Sequence, residues 1–279
     1  MGKLDIKKVA VVILNYKSWK DTIKEAEICF SLLHIDYPDI IIVDNCSPND
    51  SYKELKKEAE VKKFVLIKSN SNQGYASGNN IGLRYAFKTG YDYAWILNND
   101  IIIDDEKILV KMLEVFKKDK TVATVNPDVF SPDGHMFNRD SIRPSFFDMT
   151  FGLLKYKFKG RIIKDLGGYG YVYRPQGCCF LADLDKMQQV NYMDESTFLY
   201  CEEIILAERL LNKGYHCACC SAQIIHNHSK TVKSVFDKSK IIKMNNNSYS
   251  YYLQQYRHFS SFKVFVCLLF NYLKLRILN

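Results

Sequence analysis

Short apolar runs, each closed by polar residues and each followed by a stretch with helical spacing, constrain this chain more than anything else in it. Val9 to Leu14 is a continuous apolar run, the pattern of a strand buried on both faces. Trp19, Ile23, Ala26, Phe30 and Leu33 then recur at spacings of four and three, one stripe of a helix. Ser18, with Asp21 three residues on, predicts a side-chain cap at its start. Ile40 to Val43 reads as a second strand, and the turn-rich stretch from Asp44 to Asp50 follows it. A polar helix from about Ser51 to Glu60, a strand Phe64 to Ile67, a Gly/Asn-rich loop, a helix from about Asn80 to Lys88 and a strand Tyr93 to Leu97 continue the alternation. Such a chain folds as an α/β, Rossmann-like, mostly parallel sheet flanked by helices. Ligands of these sheets bind beyond the carboxyl ends of the strands. Asn15-Tyr16, Asp44-Asn45 and Asn98-Asn99-Asp100 follow three such ends, so that edge is the predicted site.

Beyond Asp104-Asp105 the spacing predicts a helix to about Phe116, then a strand Val122 to Val125 and a helix Glu202 to Asn212 ending near Gly214. Ser131 to Arg174 is poorly periodic and rich in Gly, Phe and Tyr, as expected of loops that cover a site or receive a second substrate. With 279 residues, 47% of them hydrophobic, the chain can bury a large core, which argues against a disordered or disulfide-stapled protein. No apolar run reaches eighteen residues, so no confident spanning helix is expected. The N-terminal apolar run lacks a small-residue cleavage site and reads as the first strand, which predicts a cytoplasmic chain. Nine cysteines show no disulfide framework, and Cys217, Cys219 and Cys220 lack zinc-knuckle spacing, so reduced, buried thiols are expected.

The net charge of +8 is uneven. Lys233, Lys238, Lys240, Lys243, Arg257, Lys263, Lys274 and Arg276 face one acid, Asp237, after Thr231. Residues 1–230 therefore form the predicted body, and 231–279 a basic, aromatic helical tail. Its last stretch, FKVFVCLLFNYLKLRIL, is too short and too charged to span a bilayer comfortably. An amphipathic helix on an anionic membrane surface is one reading; packing on the body or on a second subunit of a homo-oligomer is the other. The body carries no basic stripe and no nucleic-acid-binding motif, so nucleic acid is not expected as a partner.

Four constellations bear on chemistry. Asn98-Asn99-Asp100 ends a strand with one carboxylate and two carboxamides, oxygen donors suited to a hard cation held jointly with phosphates, or simply a turn. The stretch from Ser69 to Asn80 places Gly74 and Gly78 where small residues could let a phosphate or ribose approach a helix start. Asp194-Glu195 and Glu202-Glu203 are carboxylate pairs beside Phe198, Leu199 and Tyr200, where an apolar wall can raise a pKa into general-base range. The alternative is acids that merely complement a helix dipole. His226-Asn227-His228 offers two imidazoles in an extended segment, of which at most one is expected to serve as a ligand to a given metal.

In order along residues 9 to 230, VVILNYKS, IIVDNCSPND, NQGYASGNNIG, WILNNDI, RPQGCCFLADL, MDESTFLYCEEIILAERLLNKGY and IIHNHS resemble the family 2 glycosyltransferases. The likeness is to the bacterial branch with rhamnosyltransferase-like enzymes of surface-polysaccharide assembly. The resemblance implies a GT-A fold, a UDP- or dTDP-linked sugar donor, a divalent cation (Mn2+ or Mg2+) and inversion at the sugar carbon. It implies a glycan or lipid-linked acceptor, reached by an enzyme peripheral to the inner face of the cell membrane. By position it implies nucleotide-sugar contacts from Asn15, Tyr16, Asp44, Gly74, Gly78, Asn79, Asn98 and Asn99. Asp194-Glu195 falls at the acceptor-side motif, and Asp100 with His226 at the metal or diphosphate. Glu203 falls at the catalytic base, with Glu202 the competing candidate. Two departures stand out: Asn98 where the family has the first acid of Asp-x-Asp, and Glu203 where it has Asp. The first leaves open a catalytically weak, nucleotide-sugar-binding or scaffolding homologue; the retained acids Asp100, Asp194 and Glu203 weigh against it.

Overall fold

The computed structural model describes residues 9–137, 142–151, 164–227 and 237–277. The apolar runs become β1 (Val9–Asn15), β2 (Ile40–Asp44), β3 (Val65–Lys68) and β4 (Tyr93–Leu97). They lie in the order β3-β2-β1-β4 with every neighbour parallel. The register sets Asn15 against Asp44 and Asp44 against Lys68, so the polar strand ends share one edge.

The sheet continues through β8 (Cys179–Asp183), β6 (Val122–Phe130), β9 (His216–His226) and β5 (Ile101–Ile102), with β7 (Tyr169–Val172) also paired to β9. This half is mixed: β8 is antiparallel to both β4 and β6, while β6 and β9 are parallel. The mixed pairing brings β9 back beside β5, the short strand that follows Asp100. β6 runs further than Val122 to Val125; its ladder shifts register between Asn126 and Asp128, where Pro127 has no N–H to donate.

Alternation along β1 divides the core. Val9, Val11 and Ile13 face α1 (Trp19–Ser31), α2 (Ser51–Lys62) and α4 (Ile108–Lys118). Ala10 and Val12 face α3 (Tyr75–Lys88), α6 (Leu184–Gln189) and α7 (Glu202–Leu211). A side chain such as Ile13 or Leu83, fully buried here, contributes about 1.5–3 kcal/mol through lost water contact.

The tail is α8 (Lys238–Gln255) and α9 (Ser261–Ile277), with a short α5 (Phe146–Thr150) beneath it. Tyr252, Leu253, Val264 and Cys267 bury themselves against Ile205 of α7, with Phe146 and Met149 of α5 at the margin. Asn271 on α9 donates to Asn245 and Asn246 on α8 at 2.9 Å, tying the hairpin. One face of the tail thus packs on the body. The expected boundary at 230 lies outside the described residues. Among the described residues no helix is long and apolar enough to cross a membrane.

Candidate active site

At the strand-end edge, polar side chains form one continuous chain. Asn15 Nδ2 donates to Asp44 Oδ1 (2.7 Å), and Thr22 Oγ1 donates to Asn15 Oδ1 (2.9 Å). Asn99 Nδ2 donates to Thr22 Oγ1 (2.7 Å) and to Ser18 Oγ (2.8 Å). The Ser47 amide donates to the remaining Asp44 oxygen at 3.1 Å. Asn15, Thr22 and Asp44 are fully buried, so breaking one link leaves an unsatisfied group worth about 1–3 kcal/mol. Ser18 correspondingly makes no side-chain cap for α1, contrary to the sequence reading, because its hydroxyl serves this chain instead. Tyr16 sits half-buried beside it, with Lys17 Nζ 5.2 Å from its ring centre. The Asn98 amide donates to Cys178 O at 2.9 Å.

The second half of the expected Gly-rich loop is helix, since α3 starts at Tyr75 rather than near Asn80. Packing explains its small residues. Gly74 has φ +103°, and a Cβ there would collide with the Phe198 backbone; at Gly78 it would collide with Leu14. Close protein packing alone thus requires a glycine at both positions. Asn79, fully buried in the first turn, donates Nδ2 to Tyr75 O (3.0 Å). Asn45 donates to Asn72 Oδ1 and Gly74 O, both at 3.1 Å. The Oδ1 atoms of Asn45 and Asn79 are buried without a hydrogen-bond donor among the described residues.

Asp100 and His226 meet because β5 pairs with β9, setting Ile101 opposite His226. The Asn227 amide donates to Asp100 O (3.0 Å), and His226 Nε2 lies 3.2 Å from Asp100 Oδ1. His228 lies outside the described residues. Behind Asp100, Glu25 of α1 is buried; burial first, and then the Asp100 charge, pushes its carboxyl up to about 8.

The acid pair lies at the start of α7. Tyr200 and Cys201 adopt φ +75° and +70°, a left-handed turn costing about 1–3 kcal/mol per non-glycine residue. Ser248 of α8 donates to Leu199 O (2.8 Å), holding that turn from the tail. Glu202 is only 3% exposed, and burial, followed by the neighbouring Glu203 charge, pushes it up to about 8. Glu203 is half-buried against Gly177, where a Cβ would collide with its carboxylate. The Tyr75 hydroxyl donates to Gly177 O and is raised well above its ordinary pKa by burial and then by Glu203. Asp100 and Glu203 also both raise the buried Cys178 thiol, after burial and Cys179, so both carboxylates lie within electrostatic reach of one residue.

Asp194 and Glu195 brace the same loop. Tyr251 (3.0 Å) and Tyr256 of the tail donate to Asp194 Oδ2, and the Ser196 amide donates to Oδ1 at 2.8 Å. Asn80 donates to Glu195 Oε1 (2.8 Å), and Arg84 pairs with it at 2.8 Å. These donors hold both carboxyls below the usual range against the opposing effect of burial. On α7, the buried Glu208 takes a two-pronged bond from Arg143 (2.8 and 2.6 Å) and one from Tyr173 (2.6 Å). Tyr173 in turn shares a 2.8 Å hydrogen bond with Tyr252 of the tail.

The structure therefore brings Asn15, Asp44 and Asn99 into one hydrogen-bonded chain, Asp100 onto His226, and Glu203 to the far wall. Ser18, Thr22, Glu25, Tyr75 and Gly177 were missed as site residues from sequence. Asn45 sits in a cluster already marked there, and Ser18 and Thr22 share a helix face at i, i+4; Tyr75 and Gly177 carry no local signal.

Comparison with known proteins adds three observations. The model of the glycosyl transferase family 2 matches residues 11–180. The chain is 26% identical over 225 residues to the low-salt glycan biosynthesis hexosyltransferase Agl10 of Haloferax volcanii, covering 78% of this chain and 67% of that protein. Its fold matches the mannosyltransferase PcManGT from Pyrobaculum calidifontis, solved with GDP-Man and Mn2+ (TM-score 0.60, 14% identity, 97% of this chain and 70% of that one). It also matches S. aureus TarS, solved with UDP-GlcNAc (TM-score 0.58, 10% identity, 95% and 72%).

Proposed function

The chain belongs to glycosyl transferase family 2, and from that premise we propose that it moves a hexosyl or rhamnosyl unit from a UDP- or dTDP-linked donor to a glycan hydroxyl. The acceptor is lipid-linked in this reading, the reaction inverting, and the setting bacterial surface-polysaccharide synthesis at the inner face of the membrane. The observation that carries it is that the Asn98-Asn99-Asp100 turn and Glu203 meet at Gly177-Cys178: the Asn98 amide donates to Cys178 O at 2.9 Å, Asp100 lies beside His226, and the Glu203 carboxylate packs against Gly177.

Asp44, Asn15 and Tyr16 form the nucleotide end, with Asn45 and Asn79 offering buried carbonyl oxygens to donor N–H or O–H groups. Asn98 and Asn99 set the turn that presents Asp100. The residues fit a divalent cation. Among the described residues no three acid, His or Cys side chains converge. Asp100 and His226 would be its protein ligands, leaving the remaining positions to phosphates and water, the usual arrangement for Mg2+ or Mn2+. When bound, such a cation neutralises charge on the leaving diphosphate.

Glu203 takes the proton of the acceptor hydroxyl as that oxygen attacks the anomeric carbon from the face opposite the diphosphate. Glu202 is the lesser candidate for that step because its side chain is only 3% exposed, whereas Glu203 is half-buried and open to an approaching hydroxyl. Asp194 and Glu195 shape the acceptor side by holding the 194–201 loop. A thermal-shift panel of UDP-, dTDP- and GDP-sugars with manganese tests the donor reading. A UDP- or dTDP-sugar should raise the melting temperature, since a ligand of the folded form stabilises it; no response to any nucleotide sugar would overturn it.

A further inference from the structure

The buried side of the tail is accounted for by its packing on α5 and α7, but its outer side is not. On α9, Phe262, Phe265, Leu269 and Leu273 are 73, 64, 45 and 44% exposed. They recur at intervals of three, four and four, one stripe opposite the buried Val264 and Cys267. Phe147 on α5 and Phe151 just after it extend the patch, at 69 and 61% exposed. Phe151 makes an edge contact with Phe270 of α9 at 4.9 Å, so the two helices present one surface. Soluble surfaces rarely leave six large apolar side chains together without a partner.

The surrounding charge identifies the partner. From Lys238 to Asn279 the sequence has seven basic residues and no acidic one. Lys263 is exposed beside Phe262 at one end of the stripe. At the other end, Tyr272 lines a groove with Lys238, and Lys240 and Lys243 are exposed close by along α8. An apolar stripe with cations at both ends matches an anionic lipid surface, where the rings enter the acyl boundary and the ammonium groups stay among the headgroups. The surface also has a defined relation to the site. The helix under it, α8, holds the acceptor loop through Ser248, Tyr251 and Tyr256.

We propose that the α5–α9 face docks on an anionic membrane surface through Phe262, Phe265, Leu269 and Leu273, setting the acceptor loop beside the bilayer. The proposal deepens the lipid-linked-acceptor reading and rests on it for its purpose, though the docking itself is measured without any acceptor. Full-length protein is sedimented with phosphatidylglycerol/phosphatidylcholine vesicles and with phosphatidylcholine alone. Wild type should bind the anionic vesicles preferentially, more weakly at high salt. F262S/F265S should bind them at least roughly 10-fold more weakly, from the apolar area removed. The same variant should keep its melting temperature and its response to nucleotide sugar, because both rings are mostly exposed and neither belongs to the proposed site.

Absence of wild-type binding to anionic vesicles would overturn the docking face even if the donor panel succeeded. So would unchanged vesicle binding by the variant. A wild-type dimer in light scattering that F262S/F265S converts to a monomer would assign the face to a second copy of the chain instead.

Discussion

The two sides of the proposed site, the donor wall and the acceptor wall, are built on different physical terms. On the donor side, Asn15, Thr22, Asp44 and Asn99 are fixed by strand register and by hydrogen bonds between neighbouring elements, and left-handed backbone is confined to single loop residues beside them, Lys17 and Cys46 (φ +65° and +55°). On the acceptor wall, a left-handed turn at Tyr200-Cys201 precedes the acid pair and is held from more than forty residues away by the tail. A wall made by the sheet keeps its geometry on its own. One made by a strained loop keeps it only while its braces are present. The contrast teaches that binding and proton transfer should be separable by mutation.

The largest expected effect is at the base. Glu203→Gln keeps shape and removes the proton acceptor, and turnover should fall by roughly 100-fold or more; near-normal turnover would move the base elsewhere. Asp100→Ala should abolish the metal-dependent part of donor affinity, while affinity measured with chelator present changes little. Removing the tail's grip tests the brace. Tyr251→Phe with Tyr256→Phe should raise the acceptor KM several-fold and leave the donor Kd unchanged. That pair should also cost about 1–3 kcal/mol in urea unfolding, the worth of hydrogen bonds to a carboxylate. Equal weakening of donor and acceptor would show that the two walls are not independent.

The smallest effect is on stability. Glu202 titrates near 4.5 unfolded and about 8 folded, so the folded state holds the extra proton between those values. Stability from this group is complete below about 4.5 and is lost as pH rises through about 8. Glu202→Gln should flatten the fall of melting temperature between pH 5 and 8; an unchanged slope would place the raised carboxyl elsewhere.

The donor wall was legible in the sequence because apolar strands and their polar ends are local patterns. Val9 to Leu14 and Ile40 to Val43 announce two buried strands, and the residues after each lie at the edge that parallel pairing creates. Helix α3 was misplaced because Gly74, Ala76, Ser77 and Gly78 look like a loop. Only the approach of Leu14 and the Phe198 backbone shows why small residues are needed in a helix there. The Asp100–His226 pair depends on β9 returning beside β5, a contact across more than a hundred residues that no spacing encodes. The tail's basic, aromatic character was visible, but its role as a brace was not. The tyrosines that hold Asp194 have no periodic relation to it.

Calorimetric titration of UDP and dTDP, with and without manganese, into wild type, Glu203→Gln and Asp100→Ala addresses the separation of the walls most directly. One of the two nucleotides should bind wild type and Glu203→Gln with the same Kd, and manganese should tighten both. Manganese should not tighten binding to Asp100→Ala. Loss of nucleotide binding in Glu203→Gln, or metal-enhanced binding that survives in Asp100→Ala, would contradict the account.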